Sequence, residues 1–210
     1  PRCSAGGPPI FVTDAGAAGC AGNLAQVTFR WALCSCSDVG TSAAIQTDGF
    51  DSTQGPYAPG GLGGGLGING HLGSSAPVNV GGTLWVSGAQ GITSSAAVNA
   101  GQDLNTGGDL AVQSTQIGSD GYVQGDVRVQ ASSALAGTLH IPSGSSISGP
   151  FTASTTTRGA VSVPPPCDCS NPLPVAQIAQ GHASSNDDAL IGLSPDALNL
   201  ADLGIAPDSL

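Results

Sequence analysis

The sequence predicts an all-β fold: a three-sided parallel β-helix of about 18 residues per coil, with an N-terminal capping segment and a short helical C-terminal tail. Three observations lead there. The first is a hexad. An apolar series runs Val80, Val86, Ile92, Val98, Leu104 and Leu110, slips by one inserted residue, and resumes at Ile117, Val123, Val129, Leu135, Ile141 and Ile147. The second is a companion series two residues later, from Gly82, Gly88 and Ser94 through to Ser143 and Gly149, made of Gly, Ser, Ala or Thr everywhere but at Val112. A large residue aimed into a narrow interior and a small one that lets the backbone turn make one side of a coil. Three sides close the coil, and coils stack at the ~4.8 Å spacing of neighbouring strands. The third observation is composition. With 33 Gly and 15 Pro among 210 residues, yet 40% hydrophobic, the chain has the turns for many short strands and the apolar surface for a core. It has no Glu, Lys or Met, so good helix formers are scarce.

The hexad sets a register in advance. Val80 should stack under Val98, Ile117 and Leu135. Val86 should stack under Leu104, Val123 and Ile141, and Ile92 under Leu110, Val129 and Ile147. The inserted residue, near Gln113 to Gln116, should bulge outward at a corner. Asp109 and Arg128 then fall on adjacent coils of one face as an exposed ion pair.

The chain divides into four parts. Residues 1–60 form a cysteine-containing N-terminal segment, in which the alternation of Val27, Phe29, Trp31 and Leu33 reads as a half-buried strand. Val27 to Ser37 is the candidate cap, because an open solenoid end exposes core and unpaired backbone. Residues 61–150 form the solenoid. Residues 151–170 are an irregular closing segment, where Pro164, Pro165 and Pro166 end regular pairing. Residues 171–210 are an acidic tail. In it Ser194 caps a short helix through Leu203, with Pro195 at its first position, and 175–183 is a weaker helix candidate.

Charge excludes several functions. The net charge is −10 and charged residues are 9% of the chain. Four arginines make no basic patch for nucleic acid, nor for an anionic membrane. No apolar run reaches the ~18 residues of a membrane span. Pro1 is no natural start, so the chain reads as a processed product or internal fragment.

Six cysteines, Cys3, Cys20, Cys34, Cys36, Cys167 and Cys169, point to disulfides and an extracytoplasmic, oxidising location. Cys34-Ser35-Cys36 and Cys167-Asp168-Cys169 flank the solenoid. In a strand, residues i and i+2 face one side, so the two pairs suit two crosslinks between these segments, with Cys3 to Cys20 as a local third. That is one of fifteen connectivities, and a four-thiolate zinc site is the alternative, at an unusual ligand spacing. No catalytic residue, metal or cofactor is expected. His71, His140 and His182 lack a visible partner for general-base work. Trp85 should face outward, either as a sugar-stacking platform or under cover from the tail or the N-terminal segment. Asp103, Asp109, Asp120 and Asp126 do not form the calcium-binding nonapeptide repeat; Asn186-Asp187-Asp188 is a slightly better cluster.

The hexad, the Gly corners and the runs Gly82-Thr83-Leu84-Trp85-Val86 and Gly108-Asp109-Leu110-Ala111-Val112 resemble bactofilins over roughly residues 66–149. Bactofilins are bacterial polymer-forming proteins with a right-handed three-sided β-helix core. The resemblance implies right-handed winding and self-association into a homopolymer or fibre. Bactofilins are cytoplasmic and lack a cysteine framework, so the layout is more similar to bactofilin-like extracytoplasmic proteins of high-GC bacteria such as the myxobacteria. The expected function is a non-catalytic, disulfide-tied structural protein of a surface fibre or coat. The alternatives are an adhesin or binding module for glycan or protein, and a hexapeptide-type acyltransferase, whose period is shared but which needs a His in a cleft between subunits.

Overall fold

A computed structural model of the chain describes residues 31–49 and 59–169. They wind as an all-β parallel solenoid of about five turns, roughly 18 residues each. The leading turn is β1 (Trp31–Ser35), β2 (Val39–Thr41) and β3 (Ile45–Thr47). Next come β4 (Gly65–Ile68), β5 (Leu72–Ser74) and β6 (Val78–Val80); then β7 (Leu84–Val86), β8 (Ile92–Ser94) and β9 (Ala97–Ala100). β10 (Leu104–Thr106), β11 (Leu110–Val112) and β12 (Ser114–Ile117) follow, then β13 (Gly121–Val123), β14 (Val127–Val129) and β15 (Ser133–Ile141). β16 (Ile147–Ser148) and β17 (Phe151–Arg158) end the array. Every ladder is parallel, and each turn adds one strand to each of three ladders. The nine residues of β15 run through a corner unbroken, which merges the first and third ladders into one 11-stranded sheet; the second ladder is a separate 6-stranded sheet.

Short strands suffice because each buries two alternate residues, with one outward residue between them. Leu84 and Val86 are buried on either side of Trp85, and Leu110 and Val112 on either side of Ala111. Every member of the apolar series is buried except Ile147, which is half-buried. Where an inward residue is small and polar, it sits at a corner and its hydroxyl bonds the local backbone. The Ser74 Oγ donates to the Ala76 carbonyl at 2.6 Å, and the Ser133 Oγ to that of Ala131 at 2.9 Å.

The expected register is corrected in most places. Ile92 does stack on Leu110, and Ile117 on Leu135. But Val80 pairs with Ala100 rather than Val98, and Val98 pairs with Val78 and Thr115. Val86 pairs with Thr106, while Leu104 lies between Leu84 and Gly121. Leu110 pairs with Val127, not Val129, and Val127 with Ile147. The cause is that a six-residue step does not say which of the two inward positions a residue occupies. Val80 and Val86 are the last inward residues of their strands, whereas Ile92, Leu104 and Leu110 are the first. The phase slips at the corner Ser87 to Gly91, which has two residues more than the corner after β4 or β10. It slips back between Val112 and Thr115, where the corner is one residue shorter than its counterpart between Ser94 and Val98. The inserted residue expected near Gln113 to Gln116 is therefore a deletion. The short corner is closed by two hydroxyl bonds: the Thr115 Oγ donates to the Val98 carbonyl at 2.5 Å, and the Thr115 N–H to the Ser133 Oγ at 3.0 Å.

Gly91 and Gly149 are among the glycines that the backbone requires. Gly91 has φ +69° and Gly149 φ +90°, in the left-handed region, and a Cβ on either would meet the carbonyl oxygen of Asp109 or Val129 at about 2 Å.

The described part of the expected cap, from Trp31, is built as a further turn. β1, β2 and β3 pair in parallel with β4, β5 and β6. Val27 and Phe29, and the tail helices expected at 194–203 and 175–183, lie outside the described residues.

Candidate functional site

The outstanding local feature is a strap. After β17, residues 161–169 leave the sheet and run back across the turns to the leading one. The Gln124 side-chain amide donates to the Val161 carbonyl at 2.8 Å. The Trp85 indole N–H donates to the Pro164 carbonyl at 2.8 Å, and that of Trp31 to Pro166 at 3.2 Å. Asn69 pairs with Cys167 in both directions: its amide donates to the Cys167 carbonyl, and its carbonyl oxygen accepts from the Cys167 N–H, both at 2.9 Å. These side chains satisfy backbone carbonyls of a segment that makes no ladder bonds. Val163 and Cys167 of the strap are themselves buried.

Two disulfides complete it, Cys34–Cys167 and Cys36–Cys169, each spanning 133 residues, with Cα atoms 5.8 Å apart. Pairing all four sulfurs leaves no thiolate for the zinc alternative. A loop this long contributes about 2–4 kcal/mol by restricting the unfolded chain. The pairing indicates an oxidising, extracytoplasmic environment. Cys3 and Cys20 lie outside the described residues.

Trp85 faces outward on the first ladder but is covered. Its ring meets Trp31 edge-on at 6.2 Å, and the strap takes its N–H. It therefore behaves as an anchor for the strap. Further along this ladder, Tyr122 and His140 stack at 4.4 Å, nearly parallel. His71 has its ring Nδ1 at 2.8 Å from the Gly91 carbonyl, and its backbone N–H donates to the Asp38 carboxylate at 2.8 Å. His182 and Asn186-Asp187-Asp188 lie outside the described residues.

Asp103, Asp109, Asp120 and Asp126 follow a rule that the sequence reading missed. Each stands just before a strand or at its corner, and its Oδ1 accepts the backbone N–H of the equivalent residue one turn on. Asp103 accepts from Asp120 (3.1 Å), Asp120 from Thr138 (2.7 Å), Asp109 from Asp126 (2.8 Å) and Asp126 from Ser146 (2.8 Å). The room for two of these carboxylates, and for that of Asp38, comes from glycine. A Cβ on Gly70, Gly125 or Gly137 would lie within 2.3 Å of Oδ1 of Asp38, Asp109 or Asp120 respectively. The signal was present as an Asp followed one turn later by Gly-X, as in Asp109 with Gly125-Asp126 and Asp120 with Gly137-Thr138. Asp109 and Arg128 do meet, at 2.5 Å, and Arg128 also reaches Asp126 at 2.5 Å. The Ser146 N–H, and then Arg128, hold the Asp126 carboxyl below its usual range; Asp109 first, then Asp126, raise the Arg128 guanidinium. Among the described residues no three His, Cys or Asp side chains gather as a metal site.

A shallow groove of about 630 Å3 runs along the third ladder. Its wall is a file of amides in register, Gln46 on Asn79, Asn79 on Asn99, Asn99 on Gln116. The Asn99 amide donates to the Asn79 carbonyl oxygen at 2.8 Å, and the Gln116 backbone N–H donates to that of Asn99 at 2.9 Å. The floor is backbone at Gly81, Gly101 and Gly118, stacked so closely that a Cβ on Gly101 or Gly118 would strike the glycine carbonyl of the turn before. Nothing in the hexad pointed to this file, because outward residues carry no period.

The ends of the array differ from its middle. Among the described residues no strand pairs with the outer edge of β17, whose residues are mostly exposed. No helix here is long and apolar enough to cross a membrane. Compared with known proteins, the chain matches no family model, no curated protein and no solved structure.

Proposed function

We propose that the chain is a non-catalytic structural protein, a secreted or surface β-solenoid that self-associates into a fibre or coat. The observation carrying this reading is the outer edge of β17, which no strand among the described residues pairs. In every turn the first inward residue of a strand donates its N–H toward the following turn, as Leu84 does to the Asp103 carbonyl and Leu104 to the Asp120 carbonyl. By the same register Ala153 and Thr156, paired with Leu135 and Leu139, aim their N–H groups at that edge. The leading turn offers a parallel ladder of the same sense. One copy set on another therefore continues the sheets, a heterologous contact that propagates without closing. Three sides per turn, right-handed winding and a bactofilin-like polymer belong to this reading. The cysteine clamp sets the chain apart from the cytoplasmic members.

The test is negative-stain electron microscopy of the non-reduced protein over a concentration series. Filaments or sheets with a repeat near one solenoid length are expected. Thr156→Pro, which removes an outward N–H and leaves the bonds to β15, should abolish them. Uniform monomers at every concentration would refute self-association.

The groove favours a second reading, a module that binds a neutral glycan along the amide file. Amides offer donors and acceptors together, as sugar hydroxyls require, and the net charge of −10 disfavours polyanions. Binding on a glycan array that is lost in Asn99→Ala and Gln116→Ala would support it; an empty array would end it.

A further inference from the structure

We infer that the two Cys-x-Cys segments form a doubled covalent by-pass that removes the solenoid from β2 onward from the path of tension along the chain. The argument is topological. The bridges join Cys34 to Cys167 and Cys36 to Cys169, so they cross in order rather than nest. A pull on the chain ends enters at Cys34 and leaves at Cys169. Two routes connect those points. One crosses Cys34–Cys167 and follows Asp168; the other follows Ser35 and crosses Cys36–Cys169. Together they make a ring of Cys34, Ser35, Cys36, Cys167, Asp168 and Cys169. Everything between Cys36 and Cys167, which is all of β2 to β17, hangs from that ring as a side loop and bears no load.

Each bridge alone completes the by-pass. The duplication therefore acts as redundancy: loss of either bridge leaves the solenoid shielded. The strap supports this arrangement. Asn69 grips Cys167 from both sides, Trp31 holds Pro166, and the Cys167 sulfur lies 3.5 Å from the Gly67 carbonyl, so an opened Cys34–Cys167 bridge stays aligned to re-form. Only reduction of both bridges, for example by a dithiol, opens the loop. Each bridge then takes up two electrons and two protons, and each reductant dithiol becomes a disulfide. The function assigned is that of a tension-bearing tether presenting an unloaded, intact solenoid. It stands whether or not copies associate.

The test is single-molecule force spectroscopy on the full chain held at its two ends. A loop of 133 residues adds about 450 Å of contour length when released, at 3.3–3.6 Å per residue. The oxidised protein should never show this step. Nor should Cys34→Ser with Cys167→Ser, or Cys36→Ser with Cys169→Ser. Adding a dithiol to a molecule already folded, oxidised and held should produce it, which avoids any variant that fails to fold. The same release from the oxidised protein, or from either one-bridge variant, overturns the proposal. So does its absence after reduction of both bridges.

Discussion

Asp120 offers the sharpest test of how the turns are held together. Its Oδ1 accepts the Thr138 N–H at 2.7 Å, while its own N–H donates to the Asp103 carboxylate at 3.1 Å. Asp120→Ala removes the acceptor and orphans the Thr138 N–H, but leaves the bond below intact. A hydrogen bond to a charged group contributes about 1.5–3 kcal/mol net when buried. Asp120 and Thr138 are half-exposed, so water replaces part of the loss and the lower limit applies, about 1.5 kcal/mol. For a domain of this size that lowers Tm by about 3–6 °C. Asp120→Asn keeps a carbonyl oxygen in the same place. A neutral acceptor is about half as strong, so it should lose about 0.7 kcal/mol. The assay is equilibrium urea unfolding of the oxidised protein at pH 7, followed by circular dichroism, with an unchanged m-value as the control for a common unfolded state. If Asp120→Asn is as damaging as Asp120→Ala, charge and not the bond to the next turn is what matters. If Asp120→Ala lies within about 0.5 kcal/mol of the wild type, as an ordinary surface substitution does, the rule drawn from these carboxylates is wrong.

Three further outcomes are expected. Leu104→Ala, at a fully buried position between Leu84 and Gly121, should cost about 3 kcal/mol by the same urea titration. Gly91→Ala should be more damaging than Gly144→Ala, because φ is +69° at Gly91 and the new methyl meets the Asp109 carbonyl, whereas Gly144 faces open space; equal midpoints would contradict this. Asp126 has its carboxyl held below 3.8 in the folded state, so the unfolded chain takes up the proton first. Its stabilising contribution is present above that value and is lost as pH falls through the lower, folded one. The gap in urea midpoint between wild type and Asp126→Asn should therefore narrow below about pH 4, and a gap independent of pH would count against the Ser146 and Arg128 contacts.

The solenoid was legible because its core is periodic. A narrow interior filled by two residues per strand leaves a mark in any sequence that builds it, and the hexad from Val80 to Ile147 is that mark. The register was not legible, because a hexad reports spacing and not phase. Residues of either inward position satisfy it, and a corner two residues longer followed by one a residue shorter looks like a single insertion. The leading turn escaped for another reason. A long connection runs from Thr47 at the end of β3 to Gly65 at the start of β4, and Trp31 of β1 finds its partner only there, beyond any periodic window.

The candidate sites divide along the same line. The two Cys-x-Cys segments were readable, since few arrangements other than crosslinking use that spacing at both ends of a repeat. The strap between them was not, although Asn69, Trp31, Trp85 and Gln124 all serve it. Each meets residues 37 to 135 positions away, and each alone has an ordinary explanation. Trp85 shows the point best. Its place between Leu84 and Val86 fixes its direction, outward, but only the return of Pro164 decides whether that surface is open or covered. Direction is a property of the strand and can be read locally. Occupancy is a property of the closed chain, and here it is set by two bonds between residues 133 apart. The same closure gives this solenoid a stability that its repeat alone does not provide. A turn at the end of a stack has a neighbour on one side only, and the leading turn compensates by being covalently joined to the segment that follows the last strand.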